Sequence, residues 1–129
     1  MSGRYVVDTN IIIAFLNGDE EIAVSMEESD EMLLSVVVLG ELLYGARRSA
    51  RYTENREKVK AFSERCYILE INGSVAENYA GIRAVLAEKG RPIPENDIWI
   101  AASCLSEDAI LVSRDQHFEE IDDLDYEVW

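Results

Sequence analysis

The sequence predicts a parallel α/β fold, and three features point that way. Short β-branched or apolar runs alternate with longer stretches of helical periodicity along the whole chain, the order that builds βαβ units rather than hairpins. Ala109-Ile110-Leu111-Val112 is apolar without interruption, which suits a parallel strand covered on both faces; a strand with one wet face would alternate. Gly18 and Gly90 stand just past helical stretches, and Pro92-Ile93-Pro94 makes a rigid connector, because glycine tolerates left-handed backbone and proline cannot continue a helix.

The elements follow in order. Tyr5-Val6-Val7 reads as the first strand, Asn10 to Leu16 as a helix ended by Gly18, Asp19 to Glu28 as a second helical stretch, and Met32 to Val36 as a strand. Ser35 or a close neighbour opens the next helix, in which Leu39, Leu42, Leu43 and Ala46 recur at helical spacing. A third helical block runs from Thr53 to Cys66, followed by the strand Tyr67-Ile68-Leu69 and a helix over Ser74 to Glu88. Asn96 to Leu105 is helical, Ala109 to Val112 is a strand, and Tyr126 to Trp129 supplies a last one. There is no internal repeat and no low-complexity linker. At 129 residues the chain has the length of one domain, 1–129, able to bury about two-thirds of its unfolded surface.

With 48% hydrophobic and 29% charged residues, the composition is that of an ordinary globular protein. The start carries neither a signal-peptide core nor a membrane span, so a cytoplasmic location is expected. Cys66 and Cys104 lie in apolar segments and are read as reduced, buried thiols. The formal charge of −14 opposes approach to a polyanion, but it is unevenly spread. Residues 47 to 65 hold seven of the twelve basic residues against three acids, a local +4, leaving −18 for the rest. Such a stretch is either a solvated helix laced with pairs such as Glu54–Lys58 or an edge facing a polyanion, with Arg47, Arg48 and Arg51 as the contacts.

Four acids carry the chemistry. Asp8 follows the first strand, Asp115 lies three residues past the Ala109–Val112 strand, and Glu41 and Asp97 fall near the starts of their helices. Outside the carboxyl ends of parallel strands is where such sheets bind ligands. Each acid also has a plain structural explanation: Asp8 as an Asx-turn or helix cap, Asp97 as a favourable first-turn acid. Glu41 resists one, being the single ionisable residue within Val-Val-Val-Leu-Gly-Glu-Leu-Leu, where a lone acid needs a partner. Gathered together, the four would repel by roughly 4 kcal/mol per pair at ~4 Å and an effective dielectric of 20. No histidine or lysine neighbours the first three in the sequence, so a hard divalent cation is the expected counter-charge, and oxygen ligands select Mg²⁺ or Mn²⁺. Thr9, Asn10, Asn96 and Ser113 are expected to orient these ligands or their waters. The single histidine, His117, is assigned a structural role beside a core-packing Phe118; one histidine does not furnish the pair that 2′-hydroxyl attack commonly uses, and no Gly-x-Ser-x-Gly elbow is present.

Four blocks in order, Val-Val-Asp-Thr-Asn at 6–10, Gly-Glu-Leu-Leu-Tyr-Gly-Ala at 40–46, Asn-Asp-Ile-Trp-Ile-Ala-Ala at 96–102 and Leu-Val-Ser-Arg-Asp-Gln-His-Phe at 111–118, resemble the PIN domain, and more narrowly the VapC toxins of toxin–antitoxin pairs. The resemblance implies a single five-stranded parallel sheet flanked by helices and an endoribonuclease that depends on Mg²⁺ or Mn²⁺. It also implies an acidic tetrad at Asp8, Glu41, Asp97 and Asp115, with Asp8 and Asp97 as chief ligands. Homodimers and a VapB-like antitoxin with a basic C-terminal segment are implied in the same way. Two rivals stand beside it. A haloacid-dehalogenase-like phosphatase would want a second Asp after Asp8 and a late lysine, whereas Thr9-Asn10 follows Asp8 and the last lysine is Lys89. A non-catalytic acidic metal-binding module of receiver type would want a lysine where Arg114 stands.

Overall fold

A computed structural model describes residues 3–129. Five strands, β1 (Arg4–Val7), β2 (Glu31–Ser35), β3 (Tyr67–Leu69), β4 (Ile110–Val112) and β5 (Tyr126–Glu127), form one sheet in the order β3-β2-β1-β4-β5. Every pairing is parallel, with Val6 opposite Leu33 on one side and Leu111 on the other. The helices are α1 (Thr9–Leu16), α2 (Glu20–Glu27), α3 (Val36–Arg48), α4 (Tyr52–Ser63), α5 (Gly73–Lys89) and α6 (Glu95–Glu107), with a 3₁₀ turn over Gln116–Glu120. Val6, Ile11, Ile12, Val38, Ile100, Leu111 and Val112 are fully buried, so the central strands are covered on both faces as the uninterrupted apolar runs require.

Local chemistry sets the element ends. Asp19 caps α2 by accepting from Ile22 N, Asn72 caps α5 by accepting from Val75 N, and Ser35 caps α3 through Val37 N; each satisfies a donor that has no helical partner. Gly90 takes the left-handed conformation at φ 66° to end α5, and Pro94 is the N-cap of α6. The Thr53–Cys66 block is helical only to Ser63 and then turns. The last strand is two residues rather than four, and the 3₁₀ turn has no counterpart in the periodicity. Cys104 is buried, but Cys66 is only half-buried, and both are free thiols; burial pushes the Cys66 thiol up to about 11.

The order of strands puts a switch point between β1 and β4: the chain leaves β1 toward β2 and β3, then crosses back to add β4 and β5 on the other side. Connections diverge there, and a crevice opens at the carboxyl ends of the two strands.

Candidate active site

Asp8 sits where β1 gives way to α1. Its amide extends the ladder by donating to Val112 O at 2.9 Å, its carbonyl accepts from Ile11 and Ile12, and its side chain caps α1 by accepting from Thr9 N at 2.8 Å. The cap and the site are therefore the same residue. Across the switch point, Ser113 is fully buried and acts as a junction: its hydroxyl donates to Asp8 Oδ2 at 2.7 Å and accepts from Asp115 N at 3.0 Å. Asn10 Nδ2 reaches Asp8 Oδ2, Ser113 Oγ and Asp115 Oδ2 at 3.3–3.4 Å, while its Oδ1 accepts from Arg114 N. Thr9 Oγ1 donates to Glu41 Oε1 at 2.8 Å. Among the described residues no buried side-chain polar atom lacks a partner.

All four acids line one open cleft of about 520 Å³, with Thr9, Asn10, Asn96 and His117 in its wall. Asp97 stands in the first turn of α6, whereas Glu41 is the sixth residue of α3 and so lies more than a turn in, not near the helix start. Asn96 is exposed at the rim. His117 corrects the expectation of a purely structural role and of tetrad acids without a neighbouring histidine: its Nε2 lies 2.5 Å from Asp97 Oδ2 and 3.9 Å from Asp115 Oδ2. Phe118 beside it is buried in the core, as expected. The signal was Asp115-Gln116-His117, two donor groups two residues apart, which a tight turn can aim at one point.

The electrostatics are unbalanced. Neither lysine nor arginine lines the cleft among the described residues. Burial holds the Asp97 carboxyl up at about 6, the hydrogen bond from His117 only partly opposing it and Asp8 adding repulsion. Asp8 is also raised, first by burial, with Asp115 and Glu41 contributing repulsion against the hydrogen bonds from Ser113 and Thr9. The nearby cations are engaged elsewhere. Arg114 bonds Trp129 O and Asp19 at 3.1 and 3.4 Å, and Lys89 bonds Glu120 O and Asp122 at 3.0 Å, so neither supplies the lysine that a phosphatase or receiver site wants. Arg47 and Arg48 lie over the Tyr52 and Tyr44 rings, and Arg51 pairs with Glu54 at 3.5 Å. Arg47 and Arg48 are about two helical turns beyond Glu41, roughly 10 Å along α3, whereas Arg51 lies past the end of that helix, at the N-cap of α4. A second groove shares Ile13 and Glu41 with the acidic cleft and is lined by Lys58, which the sequence offered only as the helical partner of Glu54, 3.8 Å away.

Comparison with known proteins places this geometry. The PIN domain family model matches residues 5–124. Ribonuclease VapC1 of Haemophilus influenzae is 31% identical over 97% of both chains, and a tRNA(fMet)-specific endonuclease VapC of Shigella flexneri is 31% identical over 98% of both. Among solved structures, VapBC2 from Rickettsia felis, bound to a DNA fragment from its promoter, superposes with a TM-score of 0.92 at 29% identity over 98% of each chain. VapBC-1 from Haemophilus influenzae gives 0.89 at 30% identity, again over 98% of each. A five-stranded parallel sheet with a cleft of carboxylates at its switch point, matched by sequence and structure from end to end, makes this chain a member of the PIN-domain family, in its VapC group.

Proposed function

We propose that the chain is a divalent-metal-dependent endoribonuclease, the toxin of a toxin–antitoxin pair, with Asp8, Glu41, Asp97 and Asp115 as its site. The observation that carries this reading is the convergence of four acids in a cleft lined by neither lysine nor arginine, two of them held above the ordinary carboxylate range. The donor set fits a hard cation: carboxylate oxygens predominate, and their mutual repulsion is what such an ion removes. Asp8 and Asp97 would be the chief ligands, with Glu41 and Asp115 completing the cluster or holding waters. A bound Mg²⁺ or Mn²⁺ supplies Lewis acidity, acidifying a water and stabilising charge on a phosphoryl oxygen.

The chain's own groups hold this site in place before substrate arrives. Ser113 and Asn10 hold Asp8 against Asp115, and Thr9 holds Glu41, so the acceptor oxygens need little reorganisation. Asn96, exposed at the rim, would orient the ligands or their waters from that side. Arg47, Arg48 and Arg51 would contact phosphates some distance along the strand, offsetting part of the repulsion that the chain's acidity offers to RNA. The charge of −14 suits a basic partner, and the VapBC relatives are complexes; we extend to this chain a VapB-like antitoxin, a homodimer and action in the cytoplasm.

The test is incubation of transfer RNA, the substrate class named for the Shigella relative, with Mg²⁺, with Mn²⁺ and with EDTA, beside a generic phosphate monoester. Discrete new RNA ends with metal, none with EDTA, and no phosphate release are expected. Cleavage that persists in EDTA, or release of phosphate from the monoester without RNA cutting, would overturn the reading.

A further inference from the structure

We propose that His117 is a direct nitrogen ligand of the ion at this site and that it tilts the site toward Mn²⁺ over Mg²⁺, an inference that rests on the metal-dependent reading above. One ligand atom each from Asp97, Asp115 and His117 lie within 4.8 Å of one another. That is close to the span two ligands on opposite sides of a single ion cover, roughly twice a bond of 2.0–2.2 Å. The turn that carries Asp115 also carries the imidazole. Asp115 N is tied to Ser113 Oγ at 3.0 Å, Asp115 O accepts from Tyr126 Oη at 3.0 Å, and Phe118 is buried with its ring centroid 5.0 Å from that of His117. The imidazole is therefore placed by the core, as the acids are, and does not depend on a free surface rotamer.

The chemistry gives the direction. An imidazole nitrogen is a good donor to first-row transition ions and a poor one to Mg²⁺, which keeps oxygen ligands and water. A tetrad of carboxylates alone would discriminate little between the two. Adding one nitrogen favours Mn²⁺. The competing role for His117 is donation from Nε2 to Asp97, which would position that carboxylate and leave the ion with oxygen ligands only.

Because the chain holds one histidine, the two roles separate cleanly in tag-free, full-length protein. Mn²⁺ bound to wild-type protein is examined by pulsed electron paramagnetic resonance, with natural-abundance and with ¹⁵N-histidine-labelled protein, and Mn²⁺ and Mg²⁺ affinities are compared by titration. A nitrogen coupling of directly bonded strength that changes on labelling is expected. In His117→Gln, Mn²⁺ still binds, the coupling disappears, and the preference for Mn²⁺ over Mg²⁺ falls by roughly tenfold. Mn²⁺ bound with no label-sensitive nitrogen coupling overturns the ligand role and leaves the metal site standing. Failure of wild-type protein to bind Mn²⁺, or binding unaltered by Asp97→Asn, overturns the metal site and this proposal with it. The labelling arm needs no substitution, so a folding defect in His117→Gln does not decide the outcome.

Discussion

The two ends of one sheet treat their acids in opposite ways. At the amino end of β1, Arg4 lies between two glutamates: its Nε meets Glu31 Oε2 at 2.8 Å, and its terminal nitrogens meet Glu107 Oε2 at 3.0 Å and the Glu107 carbonyl at 2.7 Å. At the carboxyl end the arrangement is reversed: Asp8 shares its cleft with Glu41, Glu95, Asp97 and Asp115, and among the described residues His117 is the one ionisable nitrogen in the cleft wall. A fold seeking only stability would pair both ends like the first. Asp8 and Asp97, buried and hydrogen-bonded beside further acids with neither lysine nor arginine in the described cleft wall, are what a site arranged for a ligand requires, at a cost to the metal-free protein.

The sharpest way to break that contrast is Asp97→Asn. Loss of a chief ligand should lower RNA cleavage by more than about a hundredfold, the upper range for losing a ligand's mere supporting partner, yet without metal the protein should become more stable. The sign follows from protons: burial raises the Asp97 carboxyl from 3.8 to about 6, so the folded state binds the proton more tightly than the unfolded one. Its contribution is complete below about pH 3.8 and is lost as pH rises through about 6. Asparagine never ionises, so thermal melts in EDTA at pH 7 should favour the variant by up to about 3 kcal/mol, with the gap closing toward pH 4. A variant melting several degrees below wild type would make Asp97 a structural cap of α6.

A smaller effect is expected where charge is of the other sign. Replacing Arg47, Arg48 and Arg51 together by alanine should raise KM for RNA about tenfold with kcat little changed, and flatten the dependence of log affinity on log salt by about 2, the share of three phosphate contacts on a single strand. Rings of Tyr52 and Tyr44 already hold two of these guanidinium groups, which limits the entropy they lose on meeting RNA. Unaltered KM and salt dependence would exclude the phosphate role, and Lys58 in the adjoining groove would be the next residue to test.

Much of this was legible before any coordinates. Alternating apolar runs and helical spacing give the five strands and six helices, because both periods are local and burial enforces them. Placing Asp8 and Asp115 at strand ends follows from the same pattern. What was not legible depends on contacts across the chain. Ser113 was expected to orient the site's ligands, but only its partner 105 residues away, Asp8, shows which acid it holds and makes it the junction of the site. His117 gave no periodic signal, since a five-residue 3₁₀ turn has none, and its place is set by the burial of Phe118 and the bond from Tyr126. Glu41 was conspicuous as a lone acid, but its partner, the Thr9 hydroxyl, lies 32 residues away. Local pattern identified which residues needed partners, and tertiary structure chose them.

The mildest effect is expected at the paired end, and it tests whether the contrast is one of function or merely of exposure. Arg4→Met keeps most of the side chain's apolar stem and removes its charge. Arg4 and both glutamates are each about a third or more exposed in their side chains, at 41%, 32% and 36%, so water and salt already screen the pairs. The melting temperature should therefore fall by no more than about 4 °C, less at high salt, and RNA cleavage should be unchanged because the charge sits at the far end of the strands. A large loss of cleavage from this substitution would show that the amino end sets the geometry of the carboxyl end through β1, and the two ends could no longer be treated as independent. A fall in stability with cleavage retained would leave the acids of the cleft as the ones organised for chemistry, since they alone could be neutralised with a gain in stability and a loss of activity.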